Sequence, residues 1–281
     1  MNNRERFEKV CLATSRHTTA TFSTSFSFGI RALDKRLHDP IHAIYGFVRF
    51  ADEIVDTLHD FDRKELLDRF KRDTHQAIAE GISLNPILQS FQQAVHRYEV
   101  DVELIDTFFR SMEMDLDRMQ HDERSFKEYV LGSAEVVGLM CLKIFCEGDR
   151  KLYDELKAPA MSLGAAFQKV NFLRDLREDN TTLGRAYFPG TVPRQLNEEQ
   201  KDGIERDIES DFRHALEGIK RLPRCARMGV HLAYLYYRAL FEKIQRTPAS
   251  SILHQRIRVR NRYKLQLLLG TYVQHRLNRI G

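Results

Sequence analysis

Between Leu163 and Pro189 the chain reads Leu-Gly-Ala-Ala-Phe-Gln-Lys-Val-Asn-Phe-Leu-Arg-Asp-Leu-Arg-Glu-Asp-Asn-Thr-Thr-Leu-Gly-Arg-Ala-Tyr-Phe-Pro. At helical period Gln168, Asn171, Asp175 and Asp179 fall on one line, in steps of three, four and four, while Phe167, Val170, Phe172, Leu173 and Leu176 cover other sides. A solvated helix carries a broad polar face, so a narrow stripe of carboxamides and carboxylates on an otherwise apolar helix points to one buried nearly all round. Its polar groups then need partners inside the protein. Two carboxylates one turn apart, with an Asn one turn before them, supply the oxygen ligands that a hard divalent cation such as Mg²⁺ takes. Taken alone, the spacing also suits an ordinary surface helix with i,i+4 acids.

The design occurs a second time. Residues 45–56 read Tyr-Gly-Phe-Val-Arg-Phe-Ala-Asp-Glu-Ile-Val-Asp, placing Tyr45, Arg49, Asp52 and Asp56 in steps of four, three and four among Phe47, Val48, Ala51, Ile54 and Val55. Repetition displaces the surface-helix reading. Two such helices facing each other enclose a cavity with acids on both walls, suited to a polyanion held through bridging metal ions, and Arg49 and Arg174 add direct cationic contacts.

These segments, written YxxxRxADExxD at 45–56, LGxAxQxxNxxRDxxED at 163–179 and GRAYFP at 184–189, resemble the motifs of the phytoene and squalene synthase family, the head-to-head prenyl synthases. The resemblance extends from about Phe22 to about Leu265. It implies an all-α fold, one class I terpenoid-synthase-like domain over residues 1–281 in which roughly ten helices surround a central cavity. It also carries roles. Asp52, Asp56, Asn171, Asp175 and Asp179 are the set expected to hold Mg²⁺, or Mn²⁺ in its place, with Glu53 and Glu178 behind them. Ser25, beside Ser23 and Thr24, together with Arg49, Gln168, Arg174 and Arg185, is expected at the diphosphates. Tyr45, Tyr129 and Tyr187 match catalytic tyrosines near the reacting carbons or the departing diphosphate, where they would steer proton transfer.

With 281 residues, 42% hydrophobic and 30% charged, the chain can bury a sizeable core and reads as an ordinary soluble globular protein. A net charge of +4 is too diffuse to indicate a nucleic-acid partner. Cys11, Cys141, Cys146 and Cys225 form no CxxC pair and have no His at zinc spacing, so reduced thiols and a cytoplasmic setting are expected. The N-terminus leads into no apolar signal segment, and no run approaches the roughly 20 apolar residues that span a bilayer. Any membrane contact is therefore expected to be peripheral, at the inner face. Arg256, Arg258, Arg260 and Arg262 alternate before a final helix over 263–276 and are the candidate contact; a solvated loop or a segment closing on the diphosphates are the other readings, and no RNA-binding motif accompanies them. The sequence is silent on oligomeric state.

Along the chain, Glu5–Thr14 reads as a short helix, and Thr21–Ile30 as either a strand or a helix start. Asp39-Pro40 predicts the N-cap and first position of the helix bearing the first motif. Helices follow over 62–80, 85–98 and 101–119, the last with a core stripe of Ile105, Phe108, Phe109, Met112, Leu116 and Met119. Ser125 and Glu128 have capping-box spacing ahead of an apolar helix, Tyr129–Cys146. There Gly132, Ser133, Ala134 and Gly138 either let helices pack closely or leave room for a prenyl chain. Glu135 stands where relatives carry Gly, and its apolar neighbours predict a buried carboxylate with a fixed cationic or hydrogen-bonding partner; a side chain that simply faces solvent is the other reading. Helices starting at Asn197, over Asp207–Leu222 and over Pro223–Gln245 complete the pattern; His231, Tyr234, Tyr236 and Tyr237 read as packing residues.

By resemblance, the reaction ionises one allylic diphosphate, joins the cation to a second identical substrate as a cyclopropylcarbinyl diphosphate, and rearranges after a second ionisation. No GxGxxG follows a strand, so NADPH is not expected. Coupling of two geranylgeranyl diphosphates to phytoene, in carotenoid biosynthesis, is the first expectation. The second is C15 coupling of farnesyl diphosphate to squalene, presqualene diphosphate or dehydrosqualene. The third, a noncatalytic assembly protein, would have no need of two intact acid motifs.

Overall fold

The computed structural model describes residues 1–117, 121–178, 187–190 and 196–254, together with 257 and 271. Among these every regular element is helical: α1 (Asn3–Phe22), α2 (Thr24–Arg31), α3 (Lys35–Asp56), α4 (Arg63–Glu80), α5 (Pro86–Tyr98), α6 (Val102–Asp117), α7 (Glu123–Val130), a π turn (Leu131–Glu135), α8 (Val136–Cys146), α9 (Arg150–Glu178), α10 (Glu198–Arg221), α11 (Arg224–Gln245) and α12 (Ala249–Ile252). The all-α expectation holds, and the first and second motifs lie on α3 and α9.

Several boundaries differ from the sequence reading, each for a local reason. The first helix runs the full length of α1 because Asn2 and Glu5 form a reciprocal capping box, and α2 is a helix because the Ser23 side chain caps it. Helix α3 begins one turn and more before Pro40, capped by Asp34, and Pro40 sits inside it. The proline forfeits a single main-chain bond there, and Asp39 is free to pair with Arg16 of α1, Nε to Oδ1 2.7 Å. Asp122, not Ser125, caps α7, accepting from the Ser125 N–H at 2.7 Å. The two helices expected over 197–222 are one, α10, opened by an Asn197–Gln200 capping box.

Helix α3 packs against α1, α2, α4, α5, α6 and α8. Phe47 stacks on Phe91 of α5 at 3.8 Å between ring centres and meets Phe70, Phe108 and Phe109, all buried. The stripe Ile105, Phe108, Phe109 and Met112 on α6 is buried as its spacing predicts, and Met119 lies outside the described residues. Residues 123–146 form one continuous helical run long and apolar enough, by length and composition, to cross a membrane, which corrects the expectation that no such run exists. Val136, Leu139, Met140, Leu142 and Ile144 are nevertheless all at most 2% exposed inside the protein, the burial of a core helix.

The π turn seats this run without slack. A Cβ on Gly132 would lie 2.6 Å from the Thr107 carbonyl oxygen of α6, and one on Gly164 of α9 would lie 2.6 Å from that of Ala134. Glycine is therefore required at both positions for the backbones to approach. The close-packing reading of the small residues holds, and Ser133, Ala134 and Gly138 also line the cavity described next.

Candidate active site

A cavity of about 570 Å³ runs between α2, α3, α8, α9, α10, α11 and the π turn. On α9 its lining extends from Leu156 to Arg174, which at the helical rise is a length of about 27 Å. The two walls divide alike. On α3 the lining passes from Ile41 and Ile44 to Tyr45, Arg49 and Asp52, and on α9 from Leu156, Ala160 and Leu163 to Gln168, Asn171 and Arg174. One end is polar, joined by Ser23, Thr24 and Ser25; the remainder, closed by Leu33, Leu142, Phe145 and Leu222, is apolar.

Charge at the polar end is unbalanced. Burial, then the neighbouring charge of Asp56, pushes the Asp52 carboxyl up to about 7 against the opposing pull of Arg49. Burial likewise pushes the Tyr45 phenol up to about 12, with Arg49 pulling the other way, so Tyr45 keeps its proton at neutral pH. Arg49 pairs with Glu53 one turn on and lies over the Phe22 ring at 4.4 Å, yet nothing among the described residues accepts from its buried Nε–H. Arg174 grips Asp175 through Nε, at 3.0 and 3.1 Å to the two carboxylate oxygens. Burial works against that guanidinium charge, and the bonds and charge of Asp175 outweigh it, so Arg174 stays charged. Both motif arginines thus point at carboxylates of their own helices.

The carboxamides are held from other elements, by longer, uncharged bonds. Gln168 donates to Ser133 Oγ at 3.2 Å, and the Tyr237 hydroxyl donates to Asn171 Oδ1 at 3.3 Å while its ring stacks on Phe167 at 3.8 Å. Tyr237 packs as expected and, beyond that reading, lines the cavity. Gly229, Ala233 and Tyr237, at steps of four on α11, all face it, and that run of small residues ending in a tyrosine was the available signal.

Tyr129 and Tyr187 lie elsewhere, outside the lining of the cavity. They stack on each other at 5.4 Å in an aromatic cluster with His121, Phe126, Phe172 and Phe188. Tyr129 donates to Asp115 of α6 at 2.9 Å; burial and that carboxylate hold its phenol well above the usual range. Asp56 also acts on Tyr129, which puts the cluster behind the acid end of α3. Asp56 and Asp175 are not among the lining side chains, and Asp179, Arg185 and the arginines at 256–262 lie outside the described residues.

The residues present fit a diphosphate held with hard divalent cations. Asp52, Asp56, Asn171 and Asp175 offer hard oxygen ligands; burial, then the charge of Asp56, raises the Asp52 pKa, which a bound cation would lower, and the unsatisfied Arg49 Nε–H asks for an anion. No three acid, His or Cys side chains among the described residues converge on one point, so a cation here would complete its shell with other oxygens.

The comparisons agree with this geometry. Residues 19–263 match the family described as squalene/phytoene synthase. The chain is 29% identical over 195 residues to a 4,4'-diapophytoene synthase of Staphylococcus haemolyticus (strain JCSC1435), covering 68% of this chain and 66% of that one. It is 26% identical over 260 residues to a phytoene synthase of Arthrospira platensis, 82% of each. It is 33% identical over 193 residues to a presqualene diphosphate synthase of Zymomonas mobilis subsp. mobilis (strain ATCC 31821 / ZM4 / CP4), 66% of this chain and 61% of that one. In fold it is similar to a dehydrosqualene synthase crystallised with a ligand, with a TM-score of 0.83, 20% identity, and coverage of 96% of this chain and 98% of the other. A cavity with paired acid helices at one end and apolar walls beyond, in a chain matched along most of its length, leads to one conclusion: this protein belongs to the squalene/phytoene synthase family.

Proposed function

We propose that this chain couples two geranylgeranyl diphosphates head to head to phytoene, through a cyclopropylcarbinyl diphosphate, with Mg²⁺ and without NADPH. The observation that supports it is the division of one long cavity into a cationic and acidic end and an apolar remainder, matching the two halves of a prenyl diphosphate. Asp52, Asp56, Asn171 and Asp175, with Asp179, would hold the cations; bound Mg²⁺ supplies the Lewis acidity that neutralises charge on a departing diphosphate. Arg49 and Arg174 exchange Glu53 and Asp175 for phosphate oxygens, and Gln168 and Asn171 orient the same group. The apolar walls exclude water that would quench an allylic cation. Phe26 lies 5.7 Å from Tyr45 and 6.5 Å from Tyr237, and these rings with Phe167 present aromatic faces where positive charge develops. Relatives that make diapophytoene and presqualene diphosphate favour a second reading, C15 coupling of farnesyl diphosphate. Membrane contact, on either reading, is proposed to be peripheral.

Mg²⁺ with a nonhydrolysable prenyl diphosphate should raise the melting temperature; saturation at 100 times Kd adds about 2.7 kcal/mol. The effect should depend on pH. The Asp52 carboxyl takes up a proton below about 7, and cation affinity should weaken as pH falls, by up to about tenfold per unit. A noncatalytic assembly protein would show no Mg²⁺-dependent shift, and that outcome would remove the enzyme reading.

A further inference from the structure

Lys169 stands between Gln168 and Asn171 on α9, yet it is not among the residues that line the cavity. It is 9% exposed, and its ammonium donates to Asp207 Oδ2 at 2.5 Å and Asp211 Oδ2 at 2.7 Å, carboxylates one turn apart on α10. Burial works against that charge, and the bonds and charges of the two aspartates outweigh it, so the lysine stays protonated. A buried ion pair is weak evidence for stability, because desolvation offsets much of the attraction; its best-attested use is to fix register.

The motif half of α9 needs such a device. Helices α9 and α10 run antiparallel, with Glu155 paired to Arg221, Pro159 against Gly218, and Ser162 Oγ bonded to Nδ1 of the exposed His214 at 2.9 Å. Pro159 has no N–H for the Glu155 carbonyl, so the main-chain ladder is interrupted there, and the first two contacts fix the half of α9 that precedes the motif. At the level of the site α9 is held on three sides. Gln168 donates to Ser133 of the π turn at 3.2 Å, Asn171 accepts from Tyr237 of α11 at 3.3 Å, and Lys169, about 100° round the helix from Gln168, is bonded to α10. The first two are uncharged bonds of the very side chains that orient a diphosphate, so substrate exchanges them for its own oxygens. The bonds of Lys169 remain.

We propose that Lys169 is a positioning residue for the diphosphate end of the cavity: bonded to Asp207 and Asp211, it fixes the rotation of the motif half of α9 on α10, so that Gln168 and Asn171 keep facing the cavity when their apo partners are released. This rests on the reading of the polar end as a diphosphate site.

The test is calorimetric titration of inorganic diphosphate with Mg²⁺ into wild type, Lys169→Met, Lys169→Arg and the triple variant Lys169→Met/Asp207→Asn/Asp211→Leu, beside a melting curve of each. Lys169→Met leaves two carboxylates facing each other without their cation, and its melting temperature should fall by about 5 °C. Its affinity for diphosphate should fall about tenfold, the scale on which supporting residues act on a site. The triple variant removes all three charges and should melt within about 2 °C of wild type. It should still bind diphosphate about tenfold more weakly, because apolar packing restores stability without fixing rotation. Lys169→Arg, whose fork can hold both carboxylates, should bind within about threefold of wild type. A triple variant with both the melting temperature and the affinity of wild type overturns the proposal, since the cluster would then act on the fold alone. Should the triple variant not fold, Asp207→Ala replaces it: that side chain is 60% exposed, so melting should hold within about 2 °C while affinity falls about threefold, and an unchanged affinity overturns the proposal. Failure of wild type itself to bind diphosphate would remove the reading of the site, and the proposal with it.

Discussion

Asp52→Asn should lower turnover by about a thousandfold and leave the fold intact. The side chain lines the polar end of the cavity, beside Arg49 and within the field of Asp56, and the change removes a charged oxygen ligand without altering shape. Losing one preorganised electrostatic contact to a developing anion typically costs on the order of 10²–10³ in rate. Stability should move the other way. Since folding raises the Asp52 pKa from 3.8 to about 7, native stability declines as pH rises between those values, and asparagine is spared that decline. The variant should match wild type near pH 4 and melt higher at pH 7 and above. Asp175→Asn should lose activity similarly but gain no stability, because it weakens the clamp on Arg174. Mg²⁺-dependent product at the wild-type rate in Asp52→Asn, or a lower melting temperature at pH 8, would contradict the assignment.

Gly164→Ala should be strongly disruptive for so small a substitution. The added methyl would meet main chain on the π turn, the Ala134 carbonyl oxygen at 2.6 Å and Glu135 Cα at 3.0 Å, so relief requires α9 to move bodily. Overpacking of this kind costs about 1–3 kcal/mol, which in a chain of this size lowers the melting temperature by about 5 °C. Activity should fall further than stability explains, because Gln168 sits one turn along α9. Gly203→Ala is the control. Gly203 is within α10, where a Cβ meets only the Arg206 guanidinium at 3.9 Å, and alanine should stabilise by about 0.5–1 kcal/mol. Equal melting temperatures for the two variants would show that the π turn is looser than its contacts indicate.

The acid helices were legible because their chemistry is periodic: Asp52 with Asp56, and Asn171 with Asp175, repeat at one turn, and burial of the flanking apolar residues follows from the same period. The helical fold was legible for the same reason. Other features depend on contacts distant in sequence. Tyr237 is 66 residues from its partner Asn171, and Asp115 joins Tyr129 across the α6–α7 connection, so neither pairing has a local signature. Asp34 displaced Asp39 as the cap of α3 because Arg16, from another helix, claims Asp39. The fixed partner expected for Glu135 is not found among the described residues: its carboxyl is half-buried, and Lys169 and Asp211 act on it through their charges alone.

Purified protein with Mg²⁺, offered equal C15 and C20 prenyl diphosphates with and without NADPH, gives the decisive measurement: identification of the hydrocarbon formed. The proposed function predicts phytoene from the C20 substrate, in the same amount whether or not NADPH is present. A C30 hydrocarbon as main product, or a product that requires NADPH, would contradict it.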